Sequence, residues 1–308
     1  MAIQHSHDVD SPESQLRTDT ARRSTLVSVA VNVFLSAMQM LAGVFSGSQG
    51  LIADGIHSLS DLIADFVVLV ANQQSKKAAD DDHQYGHLRY ENAASLLLGM
   101  LLLAVSAAML WSAILKIQNP EQLPKVHVIA LWIALIALVA KEGLFRYMLG
   151  VAQKIRSSML IANAWHARSD AASSLVVAVG IGANLSGFTL CDPIAAFIVG
   201  IMVGRMGWKF AWDAMSDLMD RAVSPQQYAA IRATLNETPG VLGLHDLRTR
   251  KVGDLIIVDV HLELDANLTV MQGHRIATEA GDRVMKAHPV LNVMTHVDPV
   301  LNGILIND

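Results

Sequence analysis

Six stretches of the chain are almost wholly apolar, at residues 24–46, 51–73, 92–115, 126–149, 159–187 and 191–213. Each exceeds the roughly 20 residues that a helix needs to cross a bilayer. The first and third contain no charge, and the fourth contains Lys141 and Glu142. Gly47 and Gly50, Pro120 and Pro124, and Gly187 and Pro193 punctuate the first, third and fifth connections. From about residue 222 the pattern changes. Ser224-Pro225 reads as an N-cap with proline at the first helical position, opening a helix that ends near Pro239-Gly240. Strand-like runs follow near 242–250 and 255–264. In the second, Ile256, Val258, Val260, Leu262 and Leu264 alternate with Ile257, Asp259, His261 and Glu263, a period of two with one polar face. An amphipathic helix near 269–287 and a strand near 291–298 complete the pattern. The predicted architecture is an α-helical membrane domain of six transmembrane helices followed by a compact α+β domain with its helices on one face of a small sheet. The expected divisions are a polar tail at 1–23, the membrane domain at 24–213, a linker at 214–221, the α+β domain at 222–299 and a tail at 300–308.

Composition agrees with a membrane protein. Of 308 residues 52% are hydrophobic and 17% charged, with mean hydropathy +0.38, against about 25% charged in soluble domains. A net charge of −5 gives no reason to invoke nucleic acid. The single cysteine, Cys191, rules out an intrachain disulfide and a thiolate metal cluster, and reads as a small apolar residue near a helix start. The first twenty residues lack the apolar core of a cleaved signal peptide, and His5 and His7 read as part of a polar tail. Six spans put both termini on one side. Arg17, Arg22 and Arg23, then Lys76, Lys77 and Arg89, then Arg146, Lys154 and Arg156 all fall on that side, against Lys116 and Lys125 opposite. The positive-inside rule therefore makes both termini cytoplasmic.

The candidate chemistry lies inside the apolar stretches. His57-x-x-Ser60-Asp61 recurs as His166-x-x-Ser169-Asp170, in the second and fifth spans. Residues four apart on a helix lie about 40° apart around the axis and ~6 Å along it. Two such helices facing each other would supply two imidazoles and two carboxylates, a tetrahedral set suited to a divalent metal such as zinc. Ionisable groups at membrane depth usually mark an ion path or a proton relay; the plainer reading is polar contacts joining helices. Asp54 and Asp65 share the stripe of His57 and Asp61, and Asn163 precedes His166 on the other helix. Asp54 and Asp65 are read as satisfied polar contacts between helices, as partners of the ligands, or as the lining of a cation route, and the two stripes as the walls of one polar cavity. Imidazole must be neutral to ligate, so metal and protons compete for the same nitrogen. With a pKa ordinarily near ~6.5 this allows metal–proton exchange.

A second group, Asp80, His83 and His87, stands in the connection after span two at spacings of three and four. It reads either as three ligands on one turn or as a solvated acidic loop. A third is His245, His261, His274, His296 and Asp298, each on or beside a predicted element of the α+β domain, with scattered surface histidines as the alternative.

Seven phrases carry a family resemblance: ADGIHSLSD at 53–61, DDDHQYGHLRYE at 80–91, ANAWHARSD at 162–170, LMDRAVS at 218–224, LHDLRTR at 244–250, VHLEL at 260–264 and THVDP at 295–299. Together they resemble the cation diffusion facilitator family, and most of all its bacterial zinc and iron efflux branch, over residues 24 to 299. The resemblance implies a ferredoxin-like, metallochaperone-like cytoplasmic domain and a homodimer. It implies a transport site at His57, Asp61, His166 and Asp170 and a loop site at Asp80, His83 and His87. It further implies a binuclear site at the cytoplasmic dimer interface using His245, His261, His274, His296 and Asp298, and an ion pair of Arg89 with Asp220. Two departures stand out. The first transport ligand in that branch is often Asp, whereas His57 stands here, which favours zinc over oxygen-preferring ions. Arg168 lies inside the second tetrad, about 200° from His166, and Glu142 is its candidate partner.

The expected function is zinc export from the cytoplasm in exchange for protons, by a multi-pass protein of the bacterial inner membrane in contact with lipid. Zinc would be both cargo and regulator, with iron(II) or another divalent cation as the alternative cargo. Two rival classes are a membrane metallohydrolase, disfavoured by a closed four-ligand set, and a metal-sensing scaffold.

Overall fold

The computed structural model describes residues 12–75, 77–154, 158–253, 255–301 and 304–305, with the side chains of 12–25 and several scattered residues left outside that description. Six long helices come first: α1 (Pro12–Ser46), α2 (Gln49–Ser75), α3 (Arg89–Gln118), α4 (Val128–Lys154), α5 (Ser158–Leu185) and α6 (Cys191–Leu218). Among the described residues four of them, over Leu26–Ser46, Arg89–Gln118, Val128–Lys154 and Cys191–Leu218, are long and apolar enough to cross a membrane. The other two, α2 and α5, have 27 and 28 residues, about 40 Å at ~1.5 Å per residue. Helix α2 carries Asp54, His57 and Asp61, and α5 carries His166, Arg168 and Asp170. Phe34, Phe45, Trp111 and Val139 point outward from these helices, on a surface that a bilayer rather than water would cover.

The chain divides into two compact units, Met1–Phe66 with Met100–Trp208, and Val67–Gly99 with Lys209–Asp308. In the first, α4 packs on α5 and α1. Leu144, Phe145 and Met148 of α4 close over Ala164 and Ala167 of α5, beside Val31 of α1. Small residues allow close approach: a Cβ at Gly180 of α5 would lie 2.5 Å from Ala195 Cβ of α6.

The second unit contains α7 (Pro225–Asn236), β1 (Gly243–Val252), β2 (Leu255–Asp265), α8 (Val270–Ala287), β3 (Val290–Leu301) and β4 (Ile304–Leu305). Both helices open on a capping box, Ser224 with Gln227 and Thr269 with Gln272, which satisfies backbone N–H groups that a first turn leaves unpaired. The sheet order is β1-β2-β3-β4. Strands β1 and β2 pair antiparallel, while β2 and β3 pair parallel through the α8 crossover. Val258, Val260, Leu262 and Leu264 of β2 face a core closed by Ile231 and Leu235 of α7 and Ala277, Ala280 and Val284 of α8. The opposite face of the sheet carries Ile257, Asp259, His261 and Glu263 of β2. Two end regions differ from the sequence reading. Helix α1 begins at Pro12, inside the stretch read as a tail, and β4 lies inside the stretch 300–308, paired with Val300 and Leu301.

Candidate metal centres

Helix α2 presents His57 and Asp61 one turn apart, and α5 brings Asp170 against them. His57 Nδ1 lies 3.5 Å from Asp61 Oδ2, and His57 Nε2 lies 3.9 Å from Asp170 Oδ1. One ligand atom from each of the three falls within 4.8 Å of the others. All three are largely buried, and among the described residues His57 Nδ1 has no hydrogen-bond partner. An unpaired, buried nitrogen beside two carboxylates is a donor set fit for a dication. His166 stands on α5 four residues before Asp170, but its side chain, like those of Asp65 and Asn163, lies outside the described residues. The serines of the two tetrads are not ligand candidates. Ser60 donates to the Ile56 carbonyl at 2.8 Å and Ser169 Oγ reaches the Trp165 carbonyl at 3.5 Å, each folded back on its own helix.

One turn from His57, Asp54 has a different environment. Its carboxylate accepts from Lys141 Nζ of α4 at 3.2 Å, from Ser173 and Ser174 of α5 at 2.8 and 2.5 Å, and from the Gln39 amide of α1. Asp54 thus belongs to a saturated polar network rather than to an open cation route. Sequence reading noted Lys141 as a charge and had no signal for its partner. The expected Arg168–Glu142 pair does not form. Glu142 takes Arg146, one turn on, at 2.9 Å, while the Arg168 guanidinium lies 5.0 Å from the Phe145 ring centroid and 5.2 Å from that of Trp165. Two aromatic faces stabilise the cation there in place of a carboxylate.

The loop group assembles as a preformed turn. Asp80 Oδ1 accepts the His83 N–H at 2.7 Å, and the His83 carbonyl accepts from Asp80 and from Gly86, whose φ of +79° suits glycine. His83 Nδ1 and His87 Nε2 each lie 3.4 Å from an Asp80 oxygen. His87 Nδ1 lies 3.1 Å from the Ala78 carbonyl, which can only accept. That contact fixes the tautomer and leaves the Nε2 lone pair facing Asp80. The His83 backbone N–H, reinforced by the His87 and His83 imidazoles when they are protonated, holds the Asp80 carboxyl below the usual range.

In the second unit His245, His261 and His296 are direct Cα partners across β1, β2 and β3. They form one row on the face of the sheet opposite α7 and α8. Asp298, two residues beyond His296, gathers them: Oδ2 lies 2.9 Å from His261 Nδ1 and 3.2 Å from His245 Nε2, and Oδ1 lies 3.2 Å from His296 Nε2. The row depends on a β-bulge. Leu244 packs on the core and so does Leu247, three residues later, which strict alternation forbids. The register shifts between His245 and Arg248, where Asp246 has φ +48°. Without that extra residue His245 would share the core-facing parity of Leu247. Sequence reading missed Glu263, whose Oε1 meets His245 Nδ1 at 3.0 Å; its place two residues after His261, on the same polar face, was the available sign. His274 does not join the row. It lies on α8 and lines a cavity with Thr295, Val297 and Pro299, the β3 residues that alternate with His296 and Asp298. Within one chain it is therefore across the sheet from the other four. The Arg89–Asp220 pair does form, at 2.6 Å, with both side chains about half exposed.

The model of the cation efflux transmembrane domain matches residues 25–219, and that of the cation efflux protein cytoplasmic domain matches residues 223–300. The chain belongs to the cation efflux family, the cation diffusion facilitators. As a cation efflux protein it is a multi-pass membrane transporter of divalent metal cations and not an enzyme. It is 33% identical over 288 residues to metal tolerance protein C1 of Arabidopsis thaliana, covering 89% of this chain and 61% of that protein, so it spans less than two thirds of that relative. The manganese efflux system protein MneP of Bacillus subtilis is 31% identical over 291 residues, 92% of this chain and 97% of its own. The cation-efflux pump FieF of Pectobacterium carotovorum is 30% identical over 285 residues, 91% and 94% respectively.

Proposed function

We propose that this cation efflux protein exports zinc from the cytoplasm in exchange for protons, as a homodimer in a bacterial inner membrane with both termini cytoplasmic. The observation that carries the reading is His57, buried between Asp61 and Asp170 with its Nδ1 unpartnered among the described residues. His166 supplies the fourth ligand. Two imidazoles and two carboxylates replace the hydration shell of a dication, and nitrogen ligands weight the set toward zinc over oxygen-preferring ions. Protons arriving from outside compete for the same nitrogens and release the metal outward, as the site alternates between inward- and outward-facing states. The loop group at Asp80, His83 and His87 and the row at His245, His261, His296 and Asp298 bind regulatory zinc. In the row, His274 from the second protomer completes the site across the dimer.

The test is flux in reconstituted vesicles with zinc, iron, manganese, cobalt and cadmium in competition, under an imposed pH gradient. Zinc is expected to win, with flux following the proton gradient, and His57→Asp to shift preference toward manganese. Flux indifferent to the gradient would remove the proton exchange. A wild type that already prefers manganese, and is unchanged by His57→Asp, would overturn the zinc reading. Manganese is the one competing cargo with a specific observation behind it, because MneP is a manganese efflux protein by name.

A further inference from the structure

The buried Asp54–Lys141 pair has no part in holding the cargo, yet both side chains are almost fully buried, at 1% and 3% exposure. A charge at that depth is tolerated only with its partner, and removing one member leaves the other uncompensated. The pair is also the centre of a wider tie. One carboxylate takes donors from three other helices: Lys141 of α4, Ser173 and Ser174 of α5, and Gln39 of α1. Asp54 lies three positions before His57 and Ser173 three positions after Asp170, about 4.5 Å along each axis. The Ser173 hydroxyl also lies 2.7 Å from the carbonyl oxygen of Asp170 itself. The tie therefore sits one turn from the cation ligands on both helices that supply them.

We propose that Lys141 is a positioning residue for the cation site. By neutralising Asp54 inside this network it fixes the separation of α2 and α5, and with it the ligand geometry that discriminates zinc from manganese. The inference rests on the reading that His57, Asp61 and Asp170 hold the transported ion. The gap it controls is the one between His57 Nε2 and Asp170 Oδ1, 3.9 Å in this structure. Zinc asks for four short bonds in a tetrahedron, with Zn–N about 2.0–2.1 Å. A wider gap retains water and suits an oxygen-preferring ion such as manganese. Such constellations work only when held to about 0.5 Å by their supporting shell.

The experiment measures the zinc-to-manganese ratio of kcat/KM in vesicles, relative to wild type, for Lys141→Met and for the double variant Asp54→Asn with Lys141→Met. Lys141→Met should lower the ratio about tenfold, given that a misplacement of ~1 Å at a reacting site costs up to ~100-fold. The double variant should return to within about threefold of wild type. Its neutral amide needs no cation, its oxygen still accepts from Ser173 in the place of Oδ1, and its NH2 in the place of Oδ2 can donate to the Ser174 hydroxyl and, with the Gln39 amide turned over, to Gln39 Oε1, which is buried without a partner among the described residues. A lower flux with an unchanged ratio in Lys141→Met would reduce the pair to a purely structural role and overturn the proposal, as would a double variant no better than the single. Should Lys141→Met fail to assemble, Ser173→Ala with Ser174→Ala takes its place; the same fall is expected, and an unchanged ratio overturns the proposal. Asp170→Ala separates the two readings. It should abolish flux of both metals, and if it does not, the assignment of the cation site has failed rather than the role of Lys141.

Discussion

Replacing Asp298 by alanine removes one carboxylate from beneath three imidazoles. Its Oδ2 is shared by His261 at 2.9 Å and His245 at 3.2 Å, and its Oδ1 meets His296 at 3.2 Å. Losing even a group that only hydrogen-bonds a metal-binding histidine typically weakens affinity about 10–100-fold, and Asp298 is itself one of the residues proposed to bind the metal. Asp298 contributes its own negative charge and touches all three rings, so the upper end applies. Zinc affinity of the row should fall about 100-fold, or ~2.7 kcal/mol. Stability without metal should hardly change. The imidazoles are 36–65% exposed, and ion pairs so open to solvent contribute about 0–1 kcal/mol. The assay is zinc competition between the full-length protein and a chromophoric chelator, with Asp80→Ala and Asp170→Ala in the background to silence the other two candidate centres. Melting of the metal-free protein is followed in parallel. A zinc Kd within about threefold of the parent would refute the assignment. So would a large loss of metal-free stability, which would make Asp298 a structural group.

Gly99→Val should lower the melting temperature in detergent, because a Cβ there would lie 2.8 Å from Ala211 Cα and push α3 off the backbone of α6; such overpacking costs about 1–3 kcal/mol, and an unchanged transition would mean the two helices part freely. Asp80→Asn tests pH dependence in the loop. The Asp80 carboxyl is held below its usual range, so its charge is fully present above the ordinary carboxylate value of about 3.9 and is lost only as pH falls through its lower folded value. Between about pH 5 and 8 only imidazole ordinarily changes charge. The substitution should therefore weaken metal binding to the loop throughout that range, where the Asp80 charge is fully present, and binding above about pH 5 unchanged by Asp80→Asn would contradict an ionised Asp80 at the site.

Local spacing made much of this molecule readable in advance. The four-residue interval of His57 and Asp61, the turn spacing of Asp80, His83 and His87, and the alternation in β2 each encode a geometry within one element. What escaped depended on contacts between elements or on a single irregular residue. Nothing in α2 alone announces that Asp54 is saturated by three other helices. The bulge at Asp246 reverses the parity of β1, and only pairing with β2 reveals it. Arg168 invited a carboxylate partner by charge, yet Arg146 is nearer to Glu142 along the same helix, and the aromatic faces of Phe145 and Trp165 were adequate substitutes. His274 could be placed on a helix by periodicity, but periodicity does not say on which side of the sheet that helix lies.

The row of His245, His261 and His296 has a further consequence, for folding kinetics. His261 and His296 are neighbours only after α8 has formed and carried β3 back parallel to β2, and His245 joins them only once the β1 bulge is in register. A one-residue slip in any of the three strands turns an imidazole to the helical face. Metal capture at the row therefore has to wait for the slowest long-range pairing of the domain. A coloured ion such as cobalt, added during refolding, would become a clock for the β2–β3 crossover, blind to the helices that form before it.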